Sequence, residues 1–82
     1  MENQDRLRRL TETLVLGVAN AKDEVNVTIE EHGDGLTLHV KVAPDDMGRV
    51  IGKKGRVASA LRTVLRAAAG NDADINVEID DK

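Results

Sequence analysis

Two glycines with two lysines between them, Gly52-Lys53-Lys54-Gly55, are the residues of this chain whose types and spacing suit a chemical task. Because glycine carries no Cβ, the main chain can approach a phosphate-sugar backbone closely and can turn between two helices. The lysines supply positive charge, and a helix beginning after Gly55 would direct its unpaired N–H groups at the same anion. The spacing therefore predicts a site for the backbone of a single-stranded nucleic acid. A structural alternative stays open, because glycine also ends helices, and Gly52 would then be a C′ residue.

The charge around this loop is strongly uneven. Residues Met47 to Asn71 contain six of the twelve basic residues and no acid, whereas the rest of the chain contains six bases and all fifteen acids. The formal net charge of −3 thus divides into +6 in this segment and −9 elsewhere. Because a local positive field recruits a polyanion, we expect nucleic acid to bind at the loop and to be repelled from the remaining surface.

The composition excludes several classes of site. The 82 residues make one small domain whose core must be aliphatic, because the chain has no Phe, Tyr or Trp. The aromatic platforms on which many proteins stack bases are therefore absent. The lack of cysteine excludes disulfides and thiolate metal sites and is compatible with an intracellular protein. The first twenty residues contain neither a signal-peptide pattern nor a long apolar run, so we expect no membrane span.

We expect no enzymatic activity, no metal and no cofactor. Ser59 is the only serine and has no histidine on its predicted helix, so no nucleophile and base pair is visible. His32 and His39 share the polar face of a predicted hairpin with carboxylates such as Glu30, and exposed histidines are a better interpretation than a zinc site. The segment from Gly48 to Lys54 does not have the spacing of a P-loop.

The first half of the chain predicts a helix followed by a β-hairpin. Four apolar residues at spacings of three and four indicate one buried helix face, with Leu16 nearly opposite: Leu7, Leu10, Leu14 and Val18. From Val25 to Glu30, and again from Leu36 to Val42, apolar and polar residues alternate as in half-buried strands. Gly33-Asp34-Gly35 lies between them and predicts the turn.

The second half predicts two helices around the glycine loop and a last strand. Pro44 suits the first turn of a short helix that reaches Ile51, where Asp45 and Asp46 complement the helix dipole. A longer helix runs to about Ala69, and its expected buried face comprises Val57, Leu61, Val64, Leu65 and Ala68. Ile75 to Asp80 alternates as a strand. The order α-β-β-α-α-β predicts an α+β fold, with three helices packed on one face of a three-stranded sheet.

This order, together with Ile51-Gly52-Lys53-Lys54-Gly55 between the paired helices, resembles a type II KH domain. The whole chain is similar to the KhpA-type family of small bacterial KH proteins, through the segment from Val42 to Arg56 in particular. The resemblance implies a mixed sheet, a single KH domain over residues 1–82, and a narrow groove for about four nucleotides of single-stranded RNA. One departure is Ala58, where many KH motifs have a large aliphatic residue, and it affects the groove floor and base preference.

The resemblance also identifies the residues expected to bind RNA. Gly52 to Gly55 would hold the backbone, and the complete expected set is Arg49, Ile51, Gly52, Lys53, Lys54, Gly55 and Arg56. For contact with bases we consider Ile51, Val57 and the strand from Leu36 to Val42, although apolar periodicity marks burial more often than ligand contact. Arg62 and Arg66 lie one turn apart and indicate a solvated face or a partner surface rather than phosphate contacts.

KhpA-type proteins form homodimers and pair with a larger KH-containing RNA-binding protein, so the resemblance implies both partners. It also implies a cytoplasmic role in post-transcriptional regulation, with links to cell shape and RNA chaperone activity. The exposed side of the long helix is the candidate partner surface, with Ser59, Arg62, Thr63 and Arg66. An alternative function remains open, in which the fold is a dimerisation scaffold that binds little RNA.

Overall fold

The computed structural model describes residues 2–33, 35–70 and 74–81. In chain order the elements are α1 (Glu2–Leu16), β1 (Asn26–His32), β2 (Gly35–Val42), α2 (Met47–Ile51), α3 (Arg56–Ala69) and β3 (Asp74–Asp81). Single turns of 3-10 helix lie at Lys22–Glu24, Pro44–Asp46 and Lys53–Gly55. The predicted α+β order α-β-β-α-α-β is confirmed. Within the described ranges, no helix is long and apolar enough to cross a membrane.

The sheet is mixed and has the order β1-β2-β3. β1 and β2 form the predicted hairpin, with His32 paired to Gly35 at its tip; Asp34 of the predicted turn lies outside the described residues. β2 and β3 are parallel, with Leu36 paired to Ile75 and Val40 to Ile79. Parallel neighbours need a long crossover connection, which here contains α2, the glycine loop and α3. The crossover therefore carries the loop along one edge of the sheet, beside β3.

All three helices contribute to one aliphatic core on the apolar face of the sheet. Leu38, Val40 and Val42 of β2 are fully buried beneath them. The other members of the core come from every helix and from both outer strands: Leu7, Val15, Val27, Val50, Leu61, Leu65, Ile75 and Val77. The opposite face of the sheet carries polar side chains such as Thr28, His39 and Glu78, so the alternation predicted for the strands is confirmed.

The buried face of α1 differs from the predicted one. Leu7 is buried, and Leu10 and Leu14 are partly buried against the core, as expected, but the fully buried positions that follow Leu7 are Thr11 and Val15. The Thr11 hydroxyl donates a hydrogen bond of 2.7 Å to the Leu7 carbonyl, which explains how a polar residue fits the core. Val18 lies beyond the end of the helix and is 37% exposed. The prediction of Val18 as a core residue was wrong because the helix ends before it.

The buried face of α3 is also rotated relative to the prediction. Leu61 and Leu65 are buried as expected, together with Ala58, which was not assigned to that face. Val64 is 42% exposed and Ala68 is exposed, so their assignment to the core was wrong. α3 packs against β3 on one side and α1 on another, and the small Ala58 side chain allows the close approach to the sheet. The rotation leaves an apolar strip of α3 in contact with solvent.

Candidate nucleic-acid interface

The glycine loop, Gly52 to Gly55, is one tight turn between α2 and α3. Three of its residues have positive φ: Gly52 (81°), Lys54 (57°) and Gly55 (74°). The Gly55 amide donates to the Gly52 carbonyl at 3.0 Å and closes the turn. α3 begins directly after Gly55, and no side chain caps its N-terminus. The positive end of the α3 dipole therefore lies at the loop and is open to an anion.

Gly52 is required by a close approach of the chain to itself. A Cβ atom at this position would lie 2.5 Å from Val57 Cγ2 and 2.7 Å from the Val57 amide nitrogen. A Cβ at Gly55 would meet no atom within 4 Å, so that glycine serves the left-handed conformation alone. Gly52 is thus more than the residue that ends a helix, because its lack of a side chain also lets the loop pack against the first turn of α3.

A cleft of about 360 Å³ opens beside the loop, between α2, α3 and the edge strand β3. Its floor is apolar and its rim is basic. The residues that line it are Ile51, Lys54, Gly55, Ala58, Ser59, Arg62 and Ile79. Three residues of the predicted RNA-binding set therefore meet in one cleft: Ile51, Lys54 and Gly55. Lys53 and Arg56 are exposed on the outer side of the loop, and Arg49 is exposed one turn before it.

Val57 and the strand from Leu36 to Val42, which were considered for contact with bases, do not line this cleft. The strand from Leu36 to Val42 is the centre of the sheet and is covered on its apolar face, so it does not reach the cleft. The edge strand β3 supplies the wall through Ile79 instead, since the parallel crossover brings the helices over β3. Val57 points away from the cleft and lies on a second, apolar surface together with Leu14 and Val64.

Ala58 lines the cleft, where the resemblance placed it at the groove floor, whereas Ser59, Arg62 and Ile79 are cleft residues that were not expected from the sequence. Helical spacing could have placed Ala58 and Arg62 together, because positions three and seven residues after Gly55 lie on one side of a helix that starts at the loop. No sequence pattern could have placed Ile79 there, since the sequence does not state which strand forms the edge of the sheet.

Five cations of this region have no acidic partner among the described residues. In the described part of the chain, ion pairs occupy Arg8 and Arg9 of α1, whose nitrogens lie 3.1 Å from the Asp5 carboxylate. Arg49 Nε lies 3.8 Å from Asp46 Oδ1. No described carboxylate pairs with the other basic residues of the loop and α3: Lys53, Lys54, Arg56, Arg62 and Arg66. An anion can therefore bind these five side chains without first breaking an ion pair.

Asp46 fixes the start of α2 in an unexpected way. Its side chain is buried and does not cap its own helix; it accepts hydrogen bonds from the amides of Asn20 (3.1 Å) and Ala21 (2.9 Å). These backbone hydrogen bonds, with a smaller contribution from Arg49, hold the Asp46 pKa below its ordinary value of 3.8. The carboxylate thus ties the segment after α1 to the element that carries Arg49 and Ile51.

The histidines lie on the opposite face of the sheet from the cleft. His39 Nε2 is 3.2 Å from Glu30 Oε1, and its Nδ1 is 3.3 Å from Glu78 Oε2. The two carboxylates flank opposite nitrogens of the ring, so the three groups do not converge on one point. Across residues 2–33, 35–70 and 74–81, no group of three histidines or carboxylates is arranged to hold a metal ion.

Solved structures with the same fold include Era proteins. Aquifex aeolicus Era bound to GDP.AlF4- superposes with a TM-score of 0.76 over 96% of this chain, at 13% identity. Era in complex with MgGDPNP and nucleotides 1506-1542 of 16S ribosomal RNA superposes with a TM-score of 0.70 over 93% of this chain, at 15% identity. This chain covers only 31% and 30% of those two chains, and the similarity shows the fold alone.

Sequence comparisons identify the family. RNA-binding protein KhpA of Clostridium acetobutylicum is 46% identical over 63 residues, which are 77% of this chain and 84% of that protein. RNA-binding protein KhpA of Streptomyces coelicolor is 41% identical over 75 residues, which are 90% of this chain and 95% of that protein. The family model for the KhpA/KhpB KH domain matches residues 8–80. The chain therefore belongs to the KhpA/KhpB KH-domain family.

Proposed function

We propose that this protein binds single-stranded RNA in the cleft beside the glycine loop and acts as a binding module, not as an enzyme. The observation that carries the proposal is the set of unpaired cations at a loop whose main chain is open to an anion, next to a cleft with an apolar floor. Two relatives are named RNA-binding protein KhpA, and one structural neighbour was solved with a ribosomal RNA fragment, which supports RNA as the ligand.

Each residue has a defined role in this proposal. Gly52 and Gly55 let the phosphate-sugar backbone approach the main chain, and Lys53 and Lys54 neutralise phosphates. Arg49 and Arg56 extend the positive field on either side of the loop. Bases lie against the floor of the cleft, which includes Ile51, Ala58 and Ile79, and the free edge of β3 offers main-chain hydrogen-bonding groups. The cleft accommodates about four nucleotides, as is typical of KH domains.

The proposal extends to the whole chain as one KH domain over residues 1–82, since the family model covers most of it. RNA as the ligand implies a cytoplasmic protein whose effect is post-transcriptional. Single-stranded DNA of the same sequence is the natural comparison ligand, because 2′-hydroxyl contacts would distinguish the two.

Charge reversal at the loop tests the proposal. Lys53→Asp combined with Lys54→Asp removes two phosphate contacts and adds repulsion, so affinity for a fluorescent single-stranded RNA should fall at least about 100-fold. Both side chains are exposed, and the unfolding free energy should change by no more than about 0.5 kcal/mol. A control with the same charge change, Arg6→Asp combined with Lys41→Asp, lies away from the cleft and should bind nearly normally. Equal losses in both variants would refute the loop as the binding site.

Salt dependence and strand state provide an independent check. If two to four phosphates are neutralised, log affinity should fall with log salt at a slope of about −1.4 to −2.8, since each contact to a single strand contributes about −0.7. Duplex RNA should bind more weakly, because its paired bases cannot enter the cleft. Equal binding of duplex and single strand would indicate a nonspecific basic surface.

We also propose that the protein forms a homodimer through an apolar patch, defined by Leu14, Val18, Val57, Ala60, Leu61 and Val64. Val18 and Val64 are its most exposed members, at 37% and 42%. Exposed apolar patches rimmed by polar residues are typical of protein interfaces, and a two-fold dimer would cover the patch on both copies. This patch replaces the partner surface expected from the sequence, since two of that surface's residues, Ser59 and Arg62, line the cleft.

The helical geometry makes dimerisation compatible with RNA binding. At 3.6 residues per turn, the patch residues Val57, Ala60 and Val64 lie on roughly the opposite side of α3 from Ser59 and Arg62. A dimer through the patch would leave both clefts open, and two clefts on one RNA would raise avidity without any new type of contact. The same patch is available to a larger KH-containing partner.

A further inference from the structure

Arg62 is the charged residue of the cleft that has no role in binding the RNA backbone. Its side chain is half-buried between α3 and β3. Among the described residues, its guanidinium has neither an ion pair nor a hydrogen bond, whereas Arg8, Arg9 and Arg49 each lie beside a carboxylate. A partly desolvated guanidinium gains most from a partner with two adjacent acceptors, which its planar fork can contact together.

The position of Arg62 separates it from the loop that would hold the phosphates. It lies seven residues after Gly55, which corresponds to about 10 Å along the axis of α3. Its neighbours in the cleft are Ala58 and Ile79, whose apolar surfaces suit the faces of bases rather than a charged backbone. The side chain is therefore placed where a base edge would lie.

The remaining chemistry of the cleft narrows the choice of base. The chain contains no aromatic residue, so stacking cannot select a base. No carboxylate lines the cleft, and its charged side chains, Lys54 and Arg62, are pure donors. Guanine presents two adjacent acceptors, O6 and N7, whereas adenine presents one acceptor beside a donor. Ala58, with only a methyl group at the floor, leaves depth for a purine.

We propose that Arg62 determines base specificity in this cleft and selects guanine over adenine at one position by a bidentate contact to O6 and N7. The inference rests on the proposed RNA-binding function and adds to it the identity of one base and the residue that recognises it. A bidentate contact of this kind should give about a tenfold preference for guanine, which corresponds to about 1.4 kcal/mol.

The test uses the full chain and four fluorescent octamers of uridine in which one central position is G, A, C or U. The wild-type protein should bind the G-containing octamer about tenfold more tightly than the A-containing one. Arg62→Gln should bind both octamers equally, at about the wild-type affinity for A. Arg62→Lys keeps the positive charge but not the planar guanidinium group, and it should also lose the preference for G over A. Arg66→Gln, one turn further along the exposed side of α3, is the matched control and should keep it.

The outcomes distinguish this inference from the function on which it rests. Binding of all four octamers without a preference for G, or with a preference for C, would overturn the inference and leave RNA binding intact. Equal weakening of all four octamers by Arg62→Gln would also overturn it, because a phosphate contact acts uniformly across sequences. Absence of binding to any octamer would overturn the proposed function and this inference together. Circular dichroism shows whether each variant is folded. If Arg62→Gln does not fold, Arg62→Lys tests the base preference instead.

Discussion

Substituting alanine separately at the two glycines of the loop should produce very different losses of stability. Gly52 has φ 81° and ψ 168°, a conformation that is essentially restricted to glycine. Its added Cβ would lie within 2.5 Å of Val57 Cγ2 and 2.7 Å of the Val57 amide nitrogen. Gly55 has φ 74° and ψ 18°, in the left-handed helical region, with open space around its Cα. The same substitution therefore meets strain and a clash at Gly52 but strain alone at Gly55.

The expected magnitudes follow from these differences. Backbone strain at Gly52 costs about 1–3 kcal/mol, and forcing a methyl group against the Val57 backbone adds about 1–3 kcal/mol. A total of about 2–6 kcal/mol is a large part of the roughly 4–12 kcal/mol expected for a domain of this size. At Gly55 the left-handed conformation costs about 1–2 kcal/mol. The melting temperature should fall by roughly 8–48 °C for Gly52→Ala and roughly 4–16 °C for Gly55→Ala.

Urea and thermal unfolding followed by far-ultraviolet circular dichroism measure both losses. The chain has no tryptophan or tyrosine, so intrinsic fluorescence cannot report its unfolding. Gly55→Asn is a useful third variant, because asparagine tolerates the left-handed region better than alanine and should restore part of the loss. Equal stability of the two alanine variants, or a smaller loss at Gly52 than at Gly55, would refute the close packing of the loop against α3.

Three further predictions concern a buried carboxylate, a strained lysine and the apolar patch. Asp46→Asn should lower the melting temperature at neutral pH more than Asp45→Asn does. Because folding depresses the Asp46 pKa, the stability that this carboxylate contributes is complete above pH about 3.8 and is lost as the pH falls through the folded pKa. The melting temperatures of the two variants should therefore converge in acid, and a difference that persists there would contradict this. Lys54→Gly relieves the backbone strain of a lysine with φ 57° and should raise the unfolding free energy by about 0–1 kcal/mol. It should also weaken RNA binding and reduce the slope of log affinity against log salt by about 0.7. Unchanged RNA affinity would show that Lys54 is not part of the site. Val64→Glu should convert the dimer to a monomer in light scattering across a concentration series, whereas Thr63→Glu, exposed beside it but outside the patch, should not; a monomeric wild-type protein at all concentrations would refute the dimer.

The fold was predictable from the sequence because its signals are local. The helical spacing of apolar residues, the period-two alternation in the three strands, the turn glycines and the loop between two helical segments identified every α-helix and strand, but not the 3-10 turns at Lys22–Glu24 and Pro44–Asp46. The errors lay where packing decides the outcome. Val18 and Val64 have apolar side chains at helical spacing, but α1 ends before Val18, and α3 turns its Ala58 face to the sheet. Periodicity indicates that a helix has an apolar side, and the neighbouring elements determine which residues of that side are buried.

The candidate site was predictable only in part. The glycines, the lysines and the acid-free segment around them identified the loop, because backbone approach and local charge can be inferred from residue types. The far wall of the cleft was not predictable, since Ile79 reaches it through a parallel pairing between residues distant in sequence. Asp46 illustrates the same limit: its position suggested a carboxylate that complements a helix dipole, whereas the fold places two amides from the connection between α1 and β1 against it.

An NMR titration of the isotope-labelled protein with a short single-stranded RNA would locate the binding surface residue by residue. If RNA lies in the cleft, the largest amide shifts should occur at Gly52, Gly55, Arg62 and Ile79 and should weaken as salt is raised. The amides of Glu30 and Thr28, on β1 at the far edge of the sheet, should remain unchanged. Shifts concentrated on that distant strand, or spread evenly over the surface with none in the loop, would contradict the account.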